Sequence, residues 1–174
     1  MKHSNILLLL VSFVIFTFSC SKDEENDEDP ADNAAFNATI NGGIFTNYNA
    51  TLGFYSADQG IGQNNLTINV TDANNNIVRL FMNETDGLGS GTVKQINNAD
   101  SNGFVTNLIF RDQEAQVTYS SISGSITISE NIENPSNSEF RLISGSFNVI
   151  TSTNTGTEVS VDGTFSNMVY LDNQ

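Results

Sequence analysis

The residues from Phe36 onward predict an all-β fold, an antiparallel meander forming a sandwich or barrel of about ten to twelve strands. No stretch of a dozen residues there carries the 3.6-residue apolar period of an amphipathic helix. Asn, Ser, Thr and Gly, all weak helix formers, are frequent throughout. Short runs alternate apolar and polar residues between clusters of turn formers, as strands buried on one face do.

Taken in chain order, Phe36, Ala38 and Ile40 alternate and lead to Asn41-Gly42, then Ile44-Phe45. Asn-Gly is the strongest short hairpin signal, because both central residues of a type I′ turn need positive φ, so a hairpin turning there is expected. Leu52 to Tyr55 reads as the next strand. Leu66, Ile68 and Val70 alternate with polar residues, Asp72-Ala73-Asn74-Asn75-Asn76 supplies turn chemistry, and Val78, Leu80 and Met82 alternate again. A hairpin centred on Asn74 pairs Val70 with Val78, Ile68 with Leu80 and Leu66 with Met82, so inward residues meet inward residues. On the other face of that hairpin Phe81 sits beside Arg79, either covered by a second layer or exposed for binding. Thr92 to Ile96, Phe104 to Arg111 and Ala115 to Tyr119 are further strands. Phe36, Phe54, Phe147 and Phe165 fall on alternating apolar positions and are expected in the core.

The last fifty residues repeat a pattern: Ile122-Ser-Gly124-Ser-Ile126, Ile143-Ser-Gly145-Ser-Phe147 and Val161-Asp-Gly163-Thr-Phe165. The spacings are too irregular for a solenoid and suit consecutive strands of one meander. A loop centred between Asn134 and Pro135, followed by a turn at Asn154, sets Gly124, Gly145 and Gly163 in one cross-strand row. That row would be flanked by Ile126, Ile143 and Phe165 on one side and Ile122, Phe147 and Val161 on the other. Such a row calls for a sheet bend, a bulky side chain seated in the groove, or a ligand there.

Before the domain, Lys2 and His3 precede an almost unbroken apolar run of 13 residues, Ile6 to Phe18. This is the layout of a secretory signal peptide, and the run is shorter than the roughly 20 apolar residues of a membrane-spanning helix. Ser19 is small, and the chain's single cysteine, Cys20, follows it. Thr17-Phe18-Ser19-Cys20 resembles a bacterial lipobox, with Thr17 where an aliphatic residue is usual and Phe18 where a small one is. The resemblance implies cleavage after Ser19 and lipid attachment at Cys20. The plainer alternative, an ordinary signal peptide before a chance cysteine, exports a lone thiol to an oxidising compartment. The organisation is therefore residues 1–19 as lipoprotein signal peptide, 20–35 as lipidated cysteine and acidic disordered tether, and 36–174 as one domain.

Seven of the twenty acidic residues lie between Asp23 and Asp32, a block that repels itself and stays extended. Lys22-Asp23-Glu24, directly after the cysteine, resembles the export signal that sends lipoproteins of the Bacteroidota to the outer face of the outer membrane. The expected location is the outer membrane, lipid-anchored and facing the exterior. The ending Ile143-Ser-Gly145-Ser-Phe147-Asn-Val149, followed by Val161-Asp-Gly163-Thr-Phe165, and the opening Phe36-x-Ala38-x-Ile40-Asn41-Gly42 resemble a family of uncharacterised flavobacterial lipoproteins with an all-β domain of unknown function. These motifs are structural, so the resemblance carries over no functional residues.

Six basic against twenty acidic residues leave a net charge of −14, which sets the protein's field against phosphate and makes nucleic acid an unexpected partner. The only histidine, His3, lies in the segment to be cleaved, so nucleophilic catalysis with a histidine base is not available. Carboxylate chemistry needs only two acids about 5 to 10 Å apart, and Glu84/Asp86, Glu130/Glu133 and Asp112/Glu114 are candidate pairs at strand ends or turns. Asp72-x-Asn74-x-Asn76 opens like a calcium loop, but Ile77 stands where glycine is required and Asn83 where the bidentate glutamate should be. Gly87-Leu-Gly89-Ser-Gly91 lacks the spacing of a phosphate loop and reads as a flexible loop into a strand. No metal and no cofactor are expected. The expected function is a non-catalytic binding or interaction module for a protein or glycan ligand, with a flat surface rich in Asn, Ser and Thr. The alternatives are a lipocalin-like small-molecule carrier with an unfilled lumen and, less favoured, a carboxylate-based glycoside hydrolase.

Overall fold

A computed structural model of the chain describes residues 33–60 and 64–173. They form one antiparallel sheet of ten strands: β1 (Ala35–Gly42), β2 (Phe45–Thr51), β3 (Phe54–Gln59), β4 (Leu66–Thr71), β5 (Ile77–Met82), β6 (Val93–Gln95), β7 (Asn107–Asp112), β8 (Val117–Glu133), β9 (Phe140–Ser152) and β10 (Glu158–Leu171). The strand order is β2-β1-β10-β9-β8-β7-β5-β4-β3, with β6 beside β8 off that path. β2 and β3 are consecutive in the chain yet lie at opposite ends of the order, so the sheet curls until Leu52 and Gly53 link its two edges. β3 then meets the last part of β10 through side chains: Tyr55 Oη accepts the Val169 N–H at 3.1 Å, and Gln59 Oε1 accepts that of Asn173 at 2.8 Å. The all-β antiparallel class read from the sequence is the one observed.

The β4–β5 hairpin has the expected register, with Leu66 opposite Met82, Ile68 opposite Leu80 and Val70 opposite Val78, and all six side chains are buried. The β1–β2 hairpin forms too, but its turn is Gly43-Ile44 rather than Asn41-Gly42, because a bulge between Ile40 and Gly42 lengthens β1. Gly42 and Gly43 both take positive φ there, +108° and +57°. Leu52 and Gly53 are a link instead of a strand start, and that break reverses the alternation: Ala57 turns inward and Phe54, expected in the core, is 65% exposed. β7 begins at Asn107, and Phe104 belongs to the preceding loop.

The proposed glycine row does not exist. β8, β9 and β10 are neighbours, but Gly124 lies opposite Val149, Gly145 opposite Ile128 and Phe165, and Gly163 opposite Phe147 and Ala38. Asn134 is not the centre of the β8–β9 turn. Its N–H still pairs with the Phe140 carbonyl at 2.9 Å, and its side chain accepts from the Ser136 N–H at 2.9 Å, so the chain reverses beyond it. The β9–β10 turn is likewise displaced, closed by Thr153 and Thr157 with Gly156 at positive φ. Bulges at Ser121/Ser123 and Ile128/Glu130 each shift the register of β8 back by one residue, and the first turns Ile122 outward, 45% exposed.

Each glycine instead occupies its own inward row: Ile40-Val161-Val149-Gly124, Ala38-Gly163-Phe147-Ile126, and Phe36-Phe165-Gly145-Ile128. A Cβ on Gly145 would come within 2.5 Å of the Phe165 ring tip, and one on Gly163 within 2.6 Å of that of Phe147. Gly145 and Gly163 are thus seats for rings from the neighbouring strand, whereas Gly124 lies against the backbone of Asn148 and Val149, and Phe36 stacks on Phe147 with ring centroids 5.7 Å apart. These rings, with Phe110, Tyr119, Tyr170 and the aliphatic residues of β4, β5 and β8, make one continuous core.

The registers also sort the turns. The β1–β2, β4–β5, β7–β8 and β9–β10 turns gather at one end of the curled sheet, hereafter the turn end. The start of β1, the β8–β9 turn and the last residues lie at the other end, where Asn167 reaches the Asn33 carbonyl at 3.4 Å and the Asp172 N–H reaches that of Glu139 at 2.9 Å.

Candidate functional site

The turn end opens into a cleft of about 620 Å³, within the usual size range of small-ligand sites, roughly 300 to 1,000 Å³. Ile44, Phe45 and Tyr48 form one wall, the β4–β5 turn from Ala73 to Asn76 forms the floor, and Asp112 and Glu114 form the opposite wall. Behind it Phe45 packs edge-on against Phe110 and Tyr119, at centroid distances of 5.2 and 5.9 Å, which anchors the wall in the core.

The floor is held by Asp72, which is 5% exposed. Its Oδ1 accepts the N–H groups of Asn74 and Asn76 at 2.8 and 2.9 Å, the local bonding that makes Asx residues turn formers. Its Oδ2 accepts the Tyr48 hydroxyl. Tyr48 Oη in turn accepts from the amides of Asn74 and Asn76 at 3.0 and 2.7 Å, while Asn76 Oδ1 accepts the Gln113 N–H at 3.0 Å. Strand β2, the β4–β5 turn and the β7–β8 turn are thereby tied into one network. Burial, and then the bond to the Asp72 carboxylate, hold the Tyr48 hydroxyl above its ordinary pKa of 10.0. The side-chain oxygens of Asp72 and Asn76 that suggested a calcium loop are engaged within this network, and among the described residues no three His, Cys, Asp or Glu side chains cluster to hold a metal.

Of the three carboxylate pairs, Asp112/Glu114 lines the turn-end cleft. Glu84 accepts from the Asn102 amide at 3.1 Å, and Glu130 and Glu133 are exposed along β8. Asp112 is 6% exposed, and its Oδ1 accepts the Ala115 N–H at 3.0 Å. Burial, with Asp112 nearby, raises the Tyr119 hydroxyl above 10.0. Phe81 is half-covered by Phe104, an edge-on contact at 6.2 Å, in a shallow groove with Arg79 and Val105. Cys20 and the export-signal residues Lys22, Asp23 and Glu24 lie outside the described residues. The glycines Gly124, Gly145 and Gly163 form no groove for a ligand, since neighbouring rings and backbone fill the space above them.

One functional-looking residue has no counterpart in the sequence reading. Lys94 in β6 is 3% exposed, and its ammonium donates to the carbonyls of Asn83, at 2.8 Å, and Thr85. Burial lowers its pKa from 10.5, opposed by Asp86 and Asp100. Its signal was present in the alternation Val93-Lys94-Gln95-Ile96, which puts Lys94 on the same inward face as Ile96. The glycine-bearing loop before it is pinned as well: Leu88 is buried, and its carbonyl accepts from the Asn131 amide at 2.8 Å. Set against known proteins, the chain matches no family model, no curated protein and no solved structure.

Proposed function

We propose that the chain is a lipid-anchored, non-catalytic binding module of the outer membrane, facing the exterior, that engages its ligand at the turn end. The polarity of the fold carries this reading. The chain enters β1 at the end opposite the cleft, so a lipid on Cys20 would leave the cleft pointing away from the membrane. Twelve residues lie between Cys20 and Asn33, a reach of about 45 Å at full extension, enough to lift the domain clear of lipid headgroups. The resemblance to flavobacterial lipoproteins points the same way. Against a lipocalin-like carrier stands the interior, where Phe36, Phe110, Phe147 and Phe165 are each at most 4% exposed and belong to one packed cluster.

A single-cysteine experiment tests the reading. Lipidation removes the only native thiol, so Ala73→Cys in the exposed β4–β5 turn is the sole target for a membrane-impermeant maleimide. Labelling on intact cells is expected, and Cys20→Ala is expected to move the protein from the membrane to the soluble fraction. Labelling only after lysis would overturn the outward orientation, and membrane retention of Cys20→Ala would overturn the anchor.

A further inference from the structure

We infer that the turn-end cleft is a site for an organic ammonium group carried on an apolar body. The inference rests on the reading that the turn end is the working end, and it names the ligand chemistry. Three observations converge.

Asp112 is 6% exposed as a residue; its Oδ1 accepts the Ala115 N–H, and its Oδ2, with no hydrogen-bond partner among the described residues, reaches solvent at the cleft. No cation compensates it, since the one ion pair among the described residues, Arg141 with Asp172, lies at the other end. A carboxylate this enclosed and without a cationic partner is stabilised by a cation placed against its free oxygen at the cleft. Glu114, exposed on the same wall, adds a second negative charge, and no basic residue lines the cleft. Arg111, next in sequence to Asp112, is turned away to the side chains of Gln113, Gln116 and Thr118. With a net charge of −14 behind it, the cleft repels anions and concentrates cations.

The facing wall is apolar. Ile44 is 75% exposed at the tip of a two-residue turn, a position normally given to Gly, Asn or Asp. Two consecutive glycines at positive φ hold it there, beside Phe45 and Tyr48. An apolar body against Ile44 and Phe45, with its ammonium at Asp112 and Glu114, covers the exposed isoleucine and neutralises the buried carboxylate together. The aromatic carbon of Phe45 and Tyr48 adds attraction for a cation.

The floor gives the site its selectivity. Asp72, Tyr48 and Asn76 already satisfy one another and engage the Asn74 amide nitrogen, leaving Asp112, Glu114, the Asn74 side-chain carbonyl and the exposed Asn75 to meet a ligand. These offer mainly acceptors, which an ammonium group with its donors fits and a carboxylate or phosphate does not.

The test uses the full lipidated chain in non-ionic detergent. Phenethylammonium, its neutral isostere 2-phenylethanol and the anion phenylpropionate are titrated by calorimetry. One phenethylammonium per chain is expected, bound about tenfold tighter than the alcohol, with the anion weakest. Glu114→Gln, at an exposed position, should bring amine and alcohol toward equal affinity, as should Asp112→Asn, which keeps an oxygen for the Ala115 N–H. Ile44→Ser should weaken both probes alike. A blocked Leu-Lys-Leu peptide separates the sources: tighter binding than phenethylammonium assigns the ammonium to a protein side chain, weaker binding to a small amine, and either supports the site. Equal binding of amine and alcohol to the unmodified chain overturns the inference, as does displacement of the amine by stoichiometric calcium. A chain that labels at Ala73→Cys on intact cells but fails to discriminate charge loses this inference and keeps the surface-module reading.

Discussion

Two of the buried charged residues that have no ion-pair partner among the described residues, Asp72 and Lys94, are solvated in opposite ways. Asp72 is surrounded by donors, of which the N–H groups of Asn74 and Asn76 come from the turn it begins and the Tyr48 hydroxyl from β2. Lys94 is surrounded by acceptors drawn from another segment, the carbonyls of Asn83 and Thr85 in the loop leaving β5. The carboxylate organises its own neighbourhood, whereas the ammonium clips a distant loop to the sheet. A charge held by groups two and four residues away depends little on tertiary structure, and one held across a loop depends on it entirely.

The largest effect separating the two should come from Asp72→Ala. It strands two buried N–H groups and the Tyr48 hydroxyl and should cost about 3–4 kcal/mol in denaturant unfolding, loosening the cleft floor with it. Lys94→Met should cost less, about 1–2 kcal/mol, because removing a desolvated charge offsets part of the loss of its two carbonyl bonds. If the two variants cost the same, the distinction between local and long-range solvation fails.

The pH dependence sharpens the contrast. The folded-state pKa of Lys94 lies below 10.5, so the unfolded chain binds more protons between the two values, and stability should rise with pH across that window. Lys94→Met should flatten the rise. The hydroxyls of Tyr48, Tyr119 and Tyr170 are shifted the other way: burial raises all three, with Asp72, Asp112 and Asp172 respectively adding to it. Their contribution is complete below pH 10 and should be lost as pH climbs through the raised values, so unfolding and tyrosinate absorbance should appear together above pH 10. The chain has no tryptophan to obscure that signal. Tyrosinate forming well before unfolding would mean that these hydroxyls are less enclosed than the Asp72 network requires.

The same division between local and long-range order governs what the amino-acid sequence revealed. The β4–β5 hairpin was legible to the residue because its turn, its alternation and Asp72 all lie within seventeen consecutive positions. Across β8, β9 and β10 the alternation gave the right face for Gly145, Phe147 and Phe165 but the wrong partners. The displaced β8–β9 turn and the one-residue bulge at Ile128/Glu130 together moved Gly124 four residues past Gly145, turn displacement moved Gly163 two residues past it, and an even net shift preserves the face while changing the row. Ile122 and Phe54 failed for the complementary reason, since a bulge and a glycine link reversed the alternation itself. At the candidate site, Asp112 and Glu114 were visible as a pair. Their meeting with Ile44 and Tyr48 was not, because it depends on the curl that carries β2 round to the β4–β5 and β7–β8 turns.

The placement of the chain start also has a mechanical side. A load applied between Asn33 and the turn end runs along β1, whose seven-residue ladder with β10 and shorter ladder with β2 lie parallel to the pull. Their hydrogen bonds would then be stretched together in shear instead of being peeled one at a time. The domain should therefore resist tension between its two ends far better than tension that lifts β2 away from its edge.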